Sequence, residues 1–146
     1  MAYTTINKST DYFNTKLYTG NGGTNAITGV GFQPDMVWIK DRTGTNNHEI
    51  TDVVRGVNYQ IYPNLNNAQT NAANHLTTFG TDGFTVGSDG STNTNSSNYV
   101  SWNWKASGST ASNTDGSITS TVSANTTSGF SIVKWTGTGA NGTVGH

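Results

Sequence analysis

A chain of 146 residues with 10% charged side chains and a formal net charge of −1 has the size of one globular domain, and it offers no basic surface to hold phosphates, which argues against a nucleic-acid partner. It has no cysteine, so a disulfide framework and a thiolate metal site are both excluded. Its 4 Trp, 6 Tyr and 5 Phe supply material for a core, so the abundance of Asn, Thr, Ser and Gly is not a disorder signature.

In chain order, Thr4, Thr5 and Ile6 are candidates for an entry strand, and Ser9-Thr10-Asp11 is suited to one helical turn. Thr15–Thr19 and Asn25–Thr28 read as two short strands around Gly20-Asn21-Gly22-Gly23, so a hairpin is expected there. The densest apolar run follows, Gly29 to Arg42. Pro34 should open its strand, with Met36, Trp38 and Lys40 on one face and Val37 and Ile39 on the other, which suits a central strand. His48–Val54 and Tyr59–Tyr62 are further strands, and Asn64–His75 is an Asn/Ala-rich loop expected to tolerate insertion. Leu76–Phe79 and Phe84–Gly87 flank Asp82-Gly83, a hairpin-turn dipeptide. Asp89–Ser97 is a polar loop. Asn98–Lys105 alternates, and the apolar set Val100, Trp102 and Trp104 is expected inward, with Ser101, Asn103 and Lys105 outward. Gly116–Ala124 and Phe130–Trp135 close the series. The expected core includes Trp38, Ile39, Phe84, Val100 and Trp102. Short strands punctuated by Gly, Asn and Asp turns, with no sustained helical period, predict an all-β fold: an antiparallel, jelly-roll-like β-sandwich.

An internal repeat appears at an offset of 117 residues. It pairs Thr10 with Thr127, Phe13 with Phe130, Tyr18 with Trp135, Thr19 with Thr136, Gly20 with Gly137, Gly22 with Gly139 and Ile27 with Val144, without a gap. The division expected is therefore a β-sandwich domain over 1–107, a Ser/Gly/Asn-rich linker over 108–115, and the opening strands of a second repeat over 116–146. The second set carries Ile118, Val122, Phe130, Ile132 and Trp135, which must be buried in cis or against a neighbouring chain. The flexible linker favours the neighbour.

Chemistry-bearing constellations are sparse. Asp82, Asp89 and Asp115 precede glycines and read as turn residues, while Glu49 and Asp52 fall on opposite faces of a strand; no carboxylate pair suits glycoside hydrolysis, and no enzyme activity is expected. His48, His75 and His146 lack ligand spacing. Asp89, Ser91, Asn93 and Asn95 alternate oxygen-bearing side chains, but one carboxylate is too little charge for a calcium loop. No metal or cofactor is expected. Trp102 and Trp104, with Asp89 and Asn93, are the candidate glycan contacts, since an exposed aromatic pair can stack on a sugar ring; burial in the core is the commoner fate of such a pair. Residues 1–5 lack the basic and apolar regions of a secretory leader, and no apolar run reaches transmembrane length.

Three stretches, Gly29–Arg42 (GVGFQPDMVWIKDR), Ser101–Ala106 (SWNWKA) and Asn113–Trp135 (NTDGSITSTVSANTTSGFSIVKW), resemble β-rich repeat-domain structural proteins of tailed phages, especially marine and cyanobacterial ones. The resemblance implies a virion component, tail-fibre-like or part of another appendage, made in the host cytoplasm and released by lysis. Such a component is expected to assemble with itself (a trimer is the expected oligomer) and with other virion proteins; the alternative reading is a carbohydrate-binding, lectin-like module that recognises host-surface glycan. The resemblance implies no membrane insertion and carries no catalytic residues.

Overall fold

The computed structural model describes residues 5–146. Its strands are β1 (Phe13–Thr19), β2 (Asn25–Ile27), β3 (Met36–Asp41), β4 (Glu49–Asp52), β5 (Tyr59–Gln60), β6 (Thr70–Asn71), β7 (Leu76–Gly80), β8 (Gly83–Val86), β9 (Asn98–Trp104), β10 (Ala111–Asn113), β11 (Ser120–Asn125) and β12 (Phe130–Trp135). A 3-10 turn over Ser9–Asp11 and one helical turn, α1 (Gly90–Asn93), complete it. The fold is all-β and antiparallel. One sheet has the order β1-β9-β3-β4 and faces a second, β2-β8-β7; a third, β10-β11-β12, and the β5-β6 pair lie beside them. Thr5 and Ile6 are not in a strand, and Thr4 lies outside the described residues.

The sandwich core is Ile27, Val37, Ile39, Leu76, Phe84, Val86 and Tyr99, with Tyr18 and Phe79 packed against it. β3 is an inner strand as its alternation predicts, paired to β9 through Trp38↔Trp102 and to β4 through Trp38↔Ile50. Its buried face is Val37, Ile39 and Asp41. The Asp82-Gly83 turn joins β7 to β8 as a hairpin. The expected hairpin of β1 with β2 does not form. β1 pairs with β9, from Phe13↔Trp104 to Thr19↔Asn98, and β2 pairs with β8 in the opposite sheet. The Gly20–Gly23 stretch is thus a crossover between layers. A Cβ on Gly20 would run into the Thr94 carbonyl, so this glycine is required by close approach of two backbones.

Carboxylates hold the loops. Asp82 accepts from the Gly29 and Gly31 N–H groups at 2.9 and 2.6 Å. Both glycines have positive φ, 75° and 92°, which turns the two amides toward the same carboxylate. Asp35 accepts from Ala106 N at 2.6 Å and Gly108 N at 3.2 Å, tying the exit of β9 to the entry of β3. Asp41 closes the loop after β3 by accepting from Thr43 and Gly44 N–H and from the Asn46 amide. Asp52 accepts from Val54 and Arg55 N–H and pairs with the Arg55 guanidinium.

The C-terminal residues form a sheet of their own. The expected linker contains β10, paired to β11 through Ala111↔Val122. The segment beyond it packs on its own chain: Ser107 and Ser123 share a 3.0 Å hydroxyl bond, Asn125 donates to Ala106 O, and Phe130 stacks on Trp104 with centroids 6.2 Å apart. Val122 and Ile132 are buried without a neighbour, Ile118 and Phe130 are half-buried, and Trp135 remains 54% exposed. The Asn64–His75 segment is exposed over residues 64–69, as a loop should be, but it forms β6 against β5 and ends in His75, which is fully buried. Insertion is therefore tolerable at 64–69 and not near His75.

The acid behaviour of the fold follows from these bonds. Hydrogen bonds from Gly31 and Gly29 hold the Asp82 carboxyl below the usual range. For Asp41, burial pushes upward and is outweighed by bonds from Gly44, Thr43 and Asn46, so it too lies low. Both contribute stability that is present above the ordinary carboxylate pKa of about 4 and lost as pH falls through their depressed values. Asp35 has the opposite sign, because burial raises it and protonation relieves that penalty. Asp82→Asn should lower Tm at neutral pH and flatten the acid limb of a Tm–pH curve; an acid limb identical to the parent's would show that Asp82 is not its source.

Candidate functional site

The β1-β9-β3-β4 sheet has one face in the core and one directed outward. Sequence reasoning assigned β9 to the wrong faces. Tyr99, Ser101 and Asn103 are buried, while Val100, Trp102 and Trp104 lie half-buried on the outward face. The polar residues can be inside because their donors and the Tyr99 hydroxyl are paired there, although Asn103 Oδ1 is buried without a partner among the described residues. Asn103 Nδ2 donates to Asn14 O at 3.0 Å and to Ser101 Oγ at 3.1 Å, and Tyr99 Oη accepts from Thr94 N at 2.9 Å. Trp38 shares the outward face, so Trp38, Val100 and Trp102 are not core, whereas Ile39 and Phe84 are.

The outward face is built by register. Trp102 lies between Thr15 of β1 and Trp38 of β3, and its ring meets Trp38 at 5.7 Å and 62°. Trp38 in turn donates its indole N–H to His48 Nδ1 at 3.0 Å. Trp104 pairs with Phe13, their rings 5.0 Å apart, and receives Phe130 from β12 on its other side. Between the first sheet and β12 lies an open groove of about 370 Å³, lined by Tyr12, Phe13, Trp104 and Phe130 with Ser9 and Ser128 at its polar margin. β1 forms the rim of this face. Among the described residues it is an edge strand, and Leu17 is 63% exposed upon it, with Phe13 at 37%. Lys105 N donates to Tyr12 O and Gly20 N to Ser97 O at the two ends of the β1–β9 ladder. By alternation the amides of Phe13, Thr15, Leu17 and Thr19 therefore lie on the open edge. Thr15 N–H is capped there by Asn14 Oδ1 at 2.9 Å.

The four candidate glycan contacts are not brought together. Trp102 and Trp104 are on the outward face. Asp89 is on the core side of the sheet, capping α1 through Ser91 N at 2.8 Å. Asn93 is fully buried and cannot touch a glycan; it is a hub that bonds Asn21 N, the Asn25 amide, Gly23 O and Gly87 O. Its role explains why the crossover after β1 needs Asn21 and Asn25. Of the alternating oxygen-bearing side chains, Asp89, Ser91 and Asn93 are engaged in this capping and bonding.

One buried constellation was missed. Glu49 Oε2 lies 2.7 Å from His75 Nε2, and His75 Nδ1 lies 3.4 Å from Thr51 Oγ1. Carboxylate, imidazole and hydroxyl are in the order of a nucleophilic relay, but Glu49, His75 and Thr51 are at most 3% exposed, so no substrate reaches them. Alternate positions 49 and 51 on β4 were the sequence signal that could have placed two of the three on one inward face. Among the described residues no group of His, Asp and Glu is arranged to hold a metal ion, and no helix is long and apolar enough to cross a membrane.

Residues 8–146 match a family described as a domain of unknown function (DUF7483), and the chain belongs to that family. No curated protein and no solved structure matches it.

Phe84→Ala should cost about 3–5 kcal/mol in urea unfolding, and Trp102→Ala, from a half-buried place, less than half of that. Equal costs would place Trp102 in the core. Asn93→Ala removes a hub that no water can replace at full burial. It should cost at least as much as Trp102→Ala, and a smaller loss would mean the crossover closes without it.

Proposed function

We propose that this DUF7483 domain is a non-enzymatic structural module of a tailed-phage virion, a component of a tail fibre or another appendage that assembles with copies of itself and with other virion proteins. The observation that carries the reading is the outward face of the first sheet with its open β1 edge. A strand edge with Leu17 63% exposed beside an aromatic ledge is the kind of surface that a second chain covers. The phage resemblance of three stretches supports the virion assignment. The fate of the carboxylates supports a non-enzymatic role, since Asp35, Asp41, Asp52, Asp82 and Asp89 are all engaged by backbone N–H groups of the fold.

The test is assembly. The purified chain should self-associate in sedimentation, with a trimer the expected species, and Leu17→Lys should weaken association while leaving Tm close to the parent's. A chain that stays monomeric at its highest soluble concentration, and that is absent from purified virions by mass spectrometry, would overturn the proposal.

A glycan-binding role is favoured by a separate observation, the open groove of Tyr12, Phe13, Trp104 and Phe130. Aromatic rings at the margin of a groove stack on sugar faces. Binding on a glycan array that is lost in Trp104→Ala supports this role, and an array without binders at millimolar ligand removes it.

A further inference from the structure

β12 repeats the pattern of β1 yet is used differently in this chain. β1 turns Asn14, Lys16 and Tyr18 toward the sandwich and Phe13, Thr15 and Leu17 outward. Tyr18 is the anchor of that inner face: it stacks on Tyr99 at 5.1 Å, meets Phe84 edge-on, and donates its hydroxyl to Thr92 O at 2.7 Å. In β12 the equivalents of the outward residues, Phe130 and Ile132, pack in cis. The equivalents of the inner face, Val133 and Trp135, border an open hollow of about 340 Å³ whose other walls include Arg55, Ile61 and Gln69; Val133 is half-buried there and Trp135 is 54% exposed. The residue that would be an anchor is left in water.

The glycines make the same point. Gly20 is required here because the Thr94 carbonyl lies against its Cα. Its equivalent, Gly137, has nothing within 4 Å of a Cβ and no positive φ, so nothing in this chain demands a glycine. Gly22 and Gly139 have nearly the same backbone, φ 71° and 73°. An exposed Trp followed by an undemanded glycine is explained if both are fitted to a place this chain does not contain.

We propose that residues 130–137 are a donor segment, forming the first strand of a second domain of this same fold. β12 holds β11 on one edge and is the end of its sheet, so its other edge is open to that domain's equivalent of β9, as β1 is bonded to β9 here. Trp135 takes the place of Tyr18, and Gly137 meets the equivalent of the Thr94 carbonyl. Phe130 and Ile132 keep their cis packing, because they lie on the other face of the strand. The result is one continuous sheet running from β10 and β11 of the first domain through a shared strand into the next. The place of β2 is not claimed, since Val144 is bridged to Ile118 in this chain, and Thr138 and Gly142 stand where Asn21 and Asn25 serve the Asn93 hub. The inference concerns the domain's partner and is independent of the virion reading.

The test extends the full chain with a second copy of residues 30–107 after His146, so that the added sandwich strands have no first strand except residues 130–137 of the chain they follow. The added residues should fold into a protease-resistant unit. Their digestion while the first 146 residues survive would overturn the proposal. Gly137→Val separates donation from simple chain length. In the 146-residue protein it should leave Tm unchanged, while in the extended protein it should speed proteolysis of the added domain roughly tenfold or more, the factor that 1.4 kcal/mol of overpacking carries. Gly20→Val should destabilise the 146-residue protein and serves as the control. A Gly137→Val effect in the short chain, or none in the long one, would each refute the shared strand.

Discussion

Everything in the first sheet depends on the inward parity of β9. That strand is bonded on both sides, to β1 and to β3, and its inner face is Tyr99, Ser101 and Asn103. Tyr99 is the largest side chain buried completely, and its hydroxyl reaches Thr94 N and Gly90 O, fixing α1 over the end of the core. A strand has a period of two, so choosing Tyr99 sends Trp102 and Trp104 to the other side. β1 and β3 follow through their register, and the aromatic ledge of Phe13, Trp38, Trp102 and Trp104 is its direct consequence.

The same choice explains why a polar core is affordable here. Ser101 and Asn103 would be costly inside if unpaired, but Asn103 Nδ2 bonds both β1 and Ser101, and only its Oδ1 is left without a partner among the described residues. Asn93 does likewise for the loops at the opposite end. In a chain with few charges, amide side chains and carboxylates take over the closing of loops. Each bonds two or more backbone groups that would otherwise be stranded between the layers.

The legible parts of the fold were those in which local chemistry is decisive. The alternation of β3 around Val37 and Ile39, the Asp82-Gly83 hairpin, and the extent of Phe130–Trp135 could all be read directly. Parity in β9 could not, because two Trp and a Val outweigh a Tyr, a Ser and an Asn on any hydrophobic count. The hydrogen bonds that reverse the preference come from Asn14, Gly90 and Thr94, remote or unassigned in the sequence. The false β1–β2 hairpin has a similar origin. Gly20–Gly23 is a valid local turn signal, but partner choice was decided by Asn93, some seventy residues away, and by the tight approach of Thr94. Of the candidate site, the placing of Trp102 and Trp104 on one strand face could be read, and the outward direction of that face could not. Asn93 was singled out for its oxygen and turned out to be buried by it.

The C-terminal sheet shows how one strand pattern can serve two environments. Phe130 and Ile132 satisfy the requirement that apolar material be covered, by lying against Trp104 and beside Ser123, without recruiting the other face of β12. That division of labour is possible because successive residues of a strand point to opposite sides. The cis contacts leave Trp135 more than half exposed, and the open edge of β12 lies beside it. Burial of Ile132 and exposure of Trp135 are two aspects of the same geometry. A strand attached by one face and one edge retains the other face and edge for a partner, whereas β1, attached through its edge to β9 and through Tyr18 to the core, has only its outward face and outer edge left. The two strands share a pattern, and their attachments are complementary.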